Sequence, residues 1–330
     1  MITIVVGNYN NERYIAETID SVLPLAKRGV EIVVVDDGST DRSREILKGY
    51  EDEIKVVLKE NGGQLSAYRA GFCASTKDWI LFLDGDDALD LEKLVEQFSL
   101  LKEGVSKLQY CLRVIDGNGE VKEGRVPSMR MGCMDEKRSL ELYGEYASPP
   151  GSGAIYSRAF IAEVIEPLSR YNKIVAAADA LLYSLAPYYG KVVSVDEEVG
   201  FYRKHSAGAC GWVESTNPKE ILKDARRQYF NEKRFVWNRN QACRKAAKEL
   251  GIDFRVARSR MVSELKVLAA LSGVRGYRHY RRILGRMVFV ALKCPGYSLK
   301  IRMQSVVWSS LFAFPFGNRY KLFLGSKVFR

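Results

Sequence analysis

The chain has 330 residues, 47% of them hydrophobic, which is enough for one large or two modest cores. Its net charge of +11 is divided: residues 1–200 hold 23 Lys/Arg against 33 Asp/Glu, and residues 201–330 hold 28 against 7. A membrane-spanning helix is not expected, since no apolar run reaches roughly 18 residues; nor is a secretory leader or a zinc module, and the six scattered cysteines read as buried thiols in a reducing cytosol.

The first hundred residues alternate between short apolar runs and helical spacing. Strands are expected at "ITIVV" (2–6), "EIVVVDD" (31–37), "IKVVL" (54–58) and "WILFLD" (79–84), and helices at 12–24, 41–51 and 64–76. Pro24 closes the first helix. This β-α-β alternation predicts an α/β fold, a mostly parallel sheet covered by helices. Ligands bind such sheets at the C-terminal strand ends. "GNYN" (7–10), "DDGSTD" (36–41), "NGG" (61–63) and "DGDD" (84–87) all fall there.

Beyond residue 99 the pattern loosens. A hairpin is expected around Gly117-Asn118-Gly119, a turn and strand over 149–157, a helix over 176–189, and two strands within 191–205. Residues 218–292 read as mostly helical and basic. These readings divide the chain into 1–98, 99–210 and 211–330.

The carboxylates at the strand ends carry the chemistry. Asp84 and Asp86, two apart in a turn, suit a hard divalent cation that completes its shell with water and a diphosphate. The alternative is a solvated turn, with Asp87 capping a helix over 88–102. Asp36 and Asp37 suit a nucleobase imide or a ribose hydroxyl, with Ser39 or Thr40 to cap the next helix; N-capping alone would account for Ser39, Thr40 and Asp41 but leaves two adjacent acids unexplained. Gly62 and Gly63 let backbone approach a ligand closely, ahead of a helix N-terminus that favours anions.

Taken in order, "ITIVVGNYNN", "VVVDDGSTD", "NGGQLSAYRAGF" and "FLDGDD" resemble the nucleotide-sugar-binding half of family-2 glycosyltransferases, which have the GT-A fold. The resemblance implies a nucleotide-sugar site made of Gly7, Asn8, Tyr9, Asn10, Asp36, Asp37, Gly62, Gly63, Gln64, Tyr68, Arg69, Asp84, Gly85 and Asp86. Asp86 is then the direct ligand of Mn2+ or Mg2+, with His205 of "YRKH" as a second. Two positions depart from the pattern. Gly7-Asn8 replaces a hydroxyl-bearing pair, and Tyr68 stands where an arginine is usual, with Arg69 following. More loosely, "PPGSGAIYSR" is similar to the family's acceptor segment, which puts Gly151, Ser152 and Gly153 near the acceptor. Asp179 aligns with the family's general base, although Ala178 stands where a second acid is usual.

The resemblance therefore implies a metal-dependent, inverting glycosyltransferase. It would move a sugar from a nucleoside-diphosphate donor, UDP-linked by family habit, to a glycan or lipid-linked acceptor in cell-surface polysaccharide or glycoconjugate synthesis. Two other functions compete with it. A nucleotidyltransferase wants a Gly-rich basic loop after the first strand, where only Gly7 and Arg13 are present. An inactive sugar-nucleotide-binding scaffold has no use for Asp84, Asp86 and Asp179.

After Glu264 there are 13 Lys/Arg and no acid, interleaved with Trp308, Phe312, Phe314, Phe316, Tyr320 and Phe323. Aromatic and cationic side chains together suit an anionic bilayer surface. The expectation is a cytoplasmic enzyme held peripherally at a membrane, against a helical cap or oligomer contact and, last, nucleic-acid binding. Full-length chain should float with anionic vesicles while a chain ending near residue 270 stays behind; equal recovery of both removes the membrane reading.

Overall fold

The computed structural model describes residues 1–171, 177–205 and 218–257. The expected tail contacts after residue 257 lie outside them, as does the later part of the basic helical region. Among the described residues no helix is long and apolar enough to cross a membrane.

The alternation of the first hundred residues is present: β1 Ile2–Asn8, α1 Ile15–Asp20, β2 Glu31–Asp37, α2 Ser43–Lys48, β3 Lys55–Lys59, α3 Gln64–Ala74 and β4 Trp79–Asp84. β1 pairs in parallel with β2 and β4, and β2 with β3. β1, β2 and β4 are continuous apolar runs because they are buried on both faces. Helix α3 lies so close to the sheet that a Cβ on Gly71 would strike Val5.

The sheet then turns mixed. After β5 Ala88–Leu89 and α4 Leu91–Gln97 come the hairpin β6 Val105–Asp116 and β7 Val121–Val126. Then come α5 Glu136–Tyr143, β8 Ala154–Ser157, α6 Arg158–Ser169, α7 Ala178–Leu185, β9 Lys191–Lys204 and α8 Pro218–Glu249. Strand order among the described residues is β3-β2-β1-β4-β8-β6-β9-β5, with β7 on β6. β8 runs antiparallel to both β4 and β6. The residue stretches 1–98 and 99–210 thus contribute strands to one sheet.

Several local expectations are corrected. Pro24 does not close a helix; it begins a 3-10 turn over Leu23–Arg28, which Gly29 ends at φ 82°. Asp87 does not cap a helix, because Ala88 and Leu89 first pair with Phe201 and Gly200. Asp90 is the cap of α4, accepting from the Lys93 N–H at 3.2 Å. Residues 191–204 form one strand instead of two, with a register slip between the pairs Tyr110–Val195 and Cys111–Glu198. Cys111 and Cys243 are buried, but Cys73 is exposed and Cys133 is half-buried.

The sheet belongs to a first compact unit of Met1–Gly132, Ala147–Gly208 and Gln241–Phe254. In a second unit Asp135 caps α5 by accepting from the Arg138 N–H at 2.8 Å, and Gly144 ends it at φ 76°. Within that unit the buried Arg239 donates to the Gly144 carbonyl at 3.0 Å.

Candidate functional site

The C-terminal ends of β1, β2 and β4 are tied to one another before any ligand is considered. Gly85 donates its N–H to the Gly7 carbonyl at 2.9 Å, stitching the Asp84–Asp87 turn to the end of β1. Asn8 is buried and donates to Asp36 Oδ2 at 2.9 Å and Ser39 Oγ at 3.2 Å. Asn10 takes the left-handed region at φ 55°, which asparagine tolerates, and its side chain accepts from the Thr40 N–H at 2.8 Å. Tyr9, between them in sequence, is 49% exposed.

The two acids ending β2 have different jobs. Asp36 is fully buried and accepts from Asn8, from the Ser39 N–H at 3.0 Å and from Arg44 Nε at 2.7 Å. Burial alone would raise its carboxyl, but hydrogen bonds from Ser39, Arg44 and Asn8 outweigh it and hold it below the ordinary value of 3.8. Asp37 faces the next loop, accepting from the N–H groups of Gly62 at 3.0 Å and Gly63 at 2.7 Å and from Lys59 Nζ. The double glycine is thereby held against the end of β2, and Gly63 at φ 82° hands the chain into α3.

Three carboxylates crowd the end of β4. Burial, then Asp86 and Asp179, push Asp84 up to about 8, even though Gln64 Nε2 donates to its Oδ1 at 3.2 Å. Asp87 is buried and also raised, by burial and then by Asp86 and Asp84. Its two oxygens accept from Ser152 Oγ at 2.6 Å and the Arg203 N–H at 2.8 Å. Asp86 meets His205 Nε2 at 2.8 Å. A cleft of about 390 Å³, lined by Asn10, Asn11, Glu12, Arg13, Tyr14, Gly117 and His205, adjoins that pair.

Sequence reasoning missed the residue that fixes this turn. Arg203 is 4% exposed and donates through Nε to the Asp86 carbonyl at 2.8 Å and through Nη2 to Glu17 at 2.5 Å. Its guanidinium also lies 4.9 Å over the Tyr14 ring. The signal was present in "YRKH", where only the histidine was read.

The acceptor-segment residues lie behind the turn. Gly151–Gly153 is a buried 3-10 turn whose Ser152 hydroxyl accepts from the Asp84 N–H at 3.1 Å and donates to Asp87. A Cβ on Gly151 would collide with the Tyr68 hydroxyl. Tyr68 itself is 1% exposed and stacked on Phe82 at 3.9 Å, with its hydroxyl accepting from Gln64 at 3.3 Å. Burial, then Asp84 and Asp179, hold that phenol well above its usual range. Arg69 turns outward to Glu166 on α6 at 2.6 Å. Position 68 therefore faces the acids, and position 69 faces a helix on the outside. Asp179 sits in the first turn of α7, half-buried, where its Oδ1 accepts from the Ala180 N–H at 2.7 Å.

A divalent cation fits this chemistry on one condition. Among the described residues no group of three or more His, Cys, Asp or Glu gathers to hold an ion. Asp86 and His205 form a pair, so most oxygens of the shell would have to come from a ligand and water, as Mg2+ and Mn2+ accept. After burial, Asp86 is the next cause that raises both Asp84 and Asp87, and a cation at Asp86 would relieve that repulsion.

Comparison with known proteins bears on the family and the fold. The model of glycosyl transferase family 2 matches residues 3–165. A glycosyltransferase of Nostoc sp. without a characterized function is 32% identical over 214 residues, 62% of this chain and 65% of its own length. The poly-beta-1,6-N-acetyl-D-glucosamine synthase of Staphylococcus aureus is 26% identical over 178 residues, 49% of this chain and 41% of its own. The chain thus spans less than two thirds of either relative. A crystal structure of S. aureus TarS 1–349 in complex with UDP-GlcNAc superposes with a TM-score of 0.50 at 18% identity, covering 93% of this chain and 79% of that one. That likeness shows a shared fold, the GT-A fold.

Proposed function

We propose, for a chain whose residues 3–165 belong to glycosyl transferase family 2, the transfer of a sugar from a UDP-linked donor to a hydroxyl of a glycan or lipid-linked acceptor. One observation carries the reading. Gln64 donates to Asp84 Oδ1 at 3.2 Å and accepts from the Ala178 N–H at 2.8 Å, so the end of β4, with an acid suited to a donor, and the first turn of α7, with Asp179 as an acid suited to a base, meet at one side chain.

In this mechanism Asp179 takes the proton of the acceptor hydroxyl as its oxygen bonds to the anomeric carbon. The bond from that carbon to the diphosphate oxygen breaks, its electron pair leaves with the UDP, and the anomeric centre inverts. General-base help of this kind contributes about 10²–10⁴-fold. Tyr9 offers an exposed ring to the base, and the Gly62–Gly63 backbone, held by Asp37, lets the nucleotide approach closely. Asp86 and His205 would hold a Mn2+ or Mg2+, which when bound supplies positive charge to the departing diphosphate. Arg203 and Ser152 keep the turn in place from behind.

A thermal-shift screen of nucleotide sugars with and without Mn2+ tests the proposal. A UDP-sugar should raise the melting temperature, and Mn2+ should enlarge the shift. A flat response to every nucleotide sugar, with and without the cation, removes it. A nucleotidyltransferase would instead respond to a nucleoside triphosphate, and an inactive scaffold would bind without releasing UDP.

A further inference from the structure

Helix α7 begins without a cap of its own. Its N-cap is Ala177, in extended backbone at φ −103° and ψ 103°, and an alanine has no side chain to receive the first N–H groups. The Ala178 N–H is taken by Gln64 Oε1 at 2.8 Å, from a residue 114 positions earlier in the chain. The other end of the same amide donates to Asp84 Oδ1 at 3.2 Å and the Tyr68 hydroxyl at 3.3 Å. This orientation is forced, because an N–H requires the amide oxygen and leaves the NH2 for the carboxylate. A glutamine amide supplies both the acceptor and the donor that this span uses. Gln64 is in turn fixed by its neighbour, since Asp37 holds the Gly63 N–H at 2.7 Å.

The geometry points to Gln64 as a positioning residue that joins the donor acid Asp84 to the helix carrying Asp179, so that donor site and base are set by one side chain. This rests on the reading of Asp179 as the base. No bond to substrate is asked of Gln64. Its work is to register two segments that the sheet alone does not bring into line, and small displacements of a base lower turnover more than they lower binding.

Two variants and two readouts test it on the full chain. In the ligand-free protein, Gln64→Leu should speed hydrogen exchange of the Ala178 amide by about 3–10-fold, as expected for one lost hydrogen bond, while α6 stays unchanged. Gln64→Glu keeps an oxygen for Ala178 and should preserve that protection. It loses the NH2 that donates to Asp84 and the Tyr68 hydroxyl and brings a further acid into the cluster, so it should not rescue turnover. With UDP-GlcNAc and Mn2+ as the probe, both variants should lower kcat for UDP release by about 10–100-fold, with KM for the donor within about threefold. Unchanged exchange at Ala178 in Gln64→Leu overturns the inference, as does a loss confined to KM. If Gln64→Leu does not fold, Gln64→Glu carries the kinetic arm. A wild-type chain that neither binds nor turns over any UDP-sugar removes the glycosyl-transfer reading instead, and the exchange arm still decides whether Gln64 holds α7.

Discussion

Asp179→Asn should abolish measurable transfer, lowering it by about 10²–10⁴-fold, while UDP binds with nearly unchanged affinity. The substitution is chosen because it separates two roles. Asparagine keeps the shape of the side chain and the oxygen that accepts from the Ala180 N–H at 2.7 Å. Losing the charge costs the first turn of α7 about 0.3–1 kcal/mol, so a residue that only supports that turn would tolerate the change. What asparagine cannot do is accept the proton of an attacking hydroxyl. UDP release from whichever nucleotide sugar the thermal screen selects, measured with an acceptor panel and paired with calorimetric titration of UDP, reads both quantities at once. Normal turnover by the variant would end the assignment of Asp179 as base. Equal loss of turnover and UDP affinity would place the residue in the donor site instead.

The parts of this site that could be read from the sequence are those with a local signature. An apolar run ending in acids predicted β2 and β4 to the residue, because a strand buried on both faces leaves a continuous pattern and its end must change character abruptly. Side chains alternate along a strand, which is why adjacent acids do unlike work: Asp36 goes inward to Asn8 and Arg44, and Asp37 goes to the glycine loop. The sequence treated them as a pair because nothing local distinguishes them.

What escaped is non-local. Asp87 looked like a cap because an apolar, helix-spaced segment follows it. The intervening pair Ala88–Leu89 instead joins residues 200–201 of β9, a pairing with no local signal. Arg203 reaches Asp86, and Gln64 reaches Ala178, across more than a hundred residues. Tyr68 was legible as a departure from the family pattern but not as a core residue. Its burial depends on Phe82 and on the absence of a side chain at Gly151.

Asp86→Ala should remove the Mn2+-dependent part of UDP affinity, by about 100-fold or more, since even outer-shell partners of a metal commonly cost 10–100-fold. The turn that carries Asp86 is held by its backbone and its neighbours. Arg203 Nε binds the Asp86 carbonyl, the Arg203 N–H binds Asp87, and the Gly85 N–H binds Gly7. None of these bonds uses the Asp86 carboxylate, so the turn should keep its shape in the variant. The electrostatics point the same way, because Asp86 is one of the charges that raise Asp84 and Asp87. Removing it relieves repulsion but gives up the bond to His205, so the ligand-free variant should melt close to wild type. A loss of binding then cannot be blamed on unfolding. His205 should matter less than Asp86, since a neutral ring nitrogen adds a ligand but no negative charge to attract the cation. Titration of UDP with and without Mn2+ against wild type, Asp86→Ala and His205→Ala orders the three. An Asp86→Ala protein whose UDP affinity still rises with Mn2+ as in wild type would show that the cation is held elsewhere.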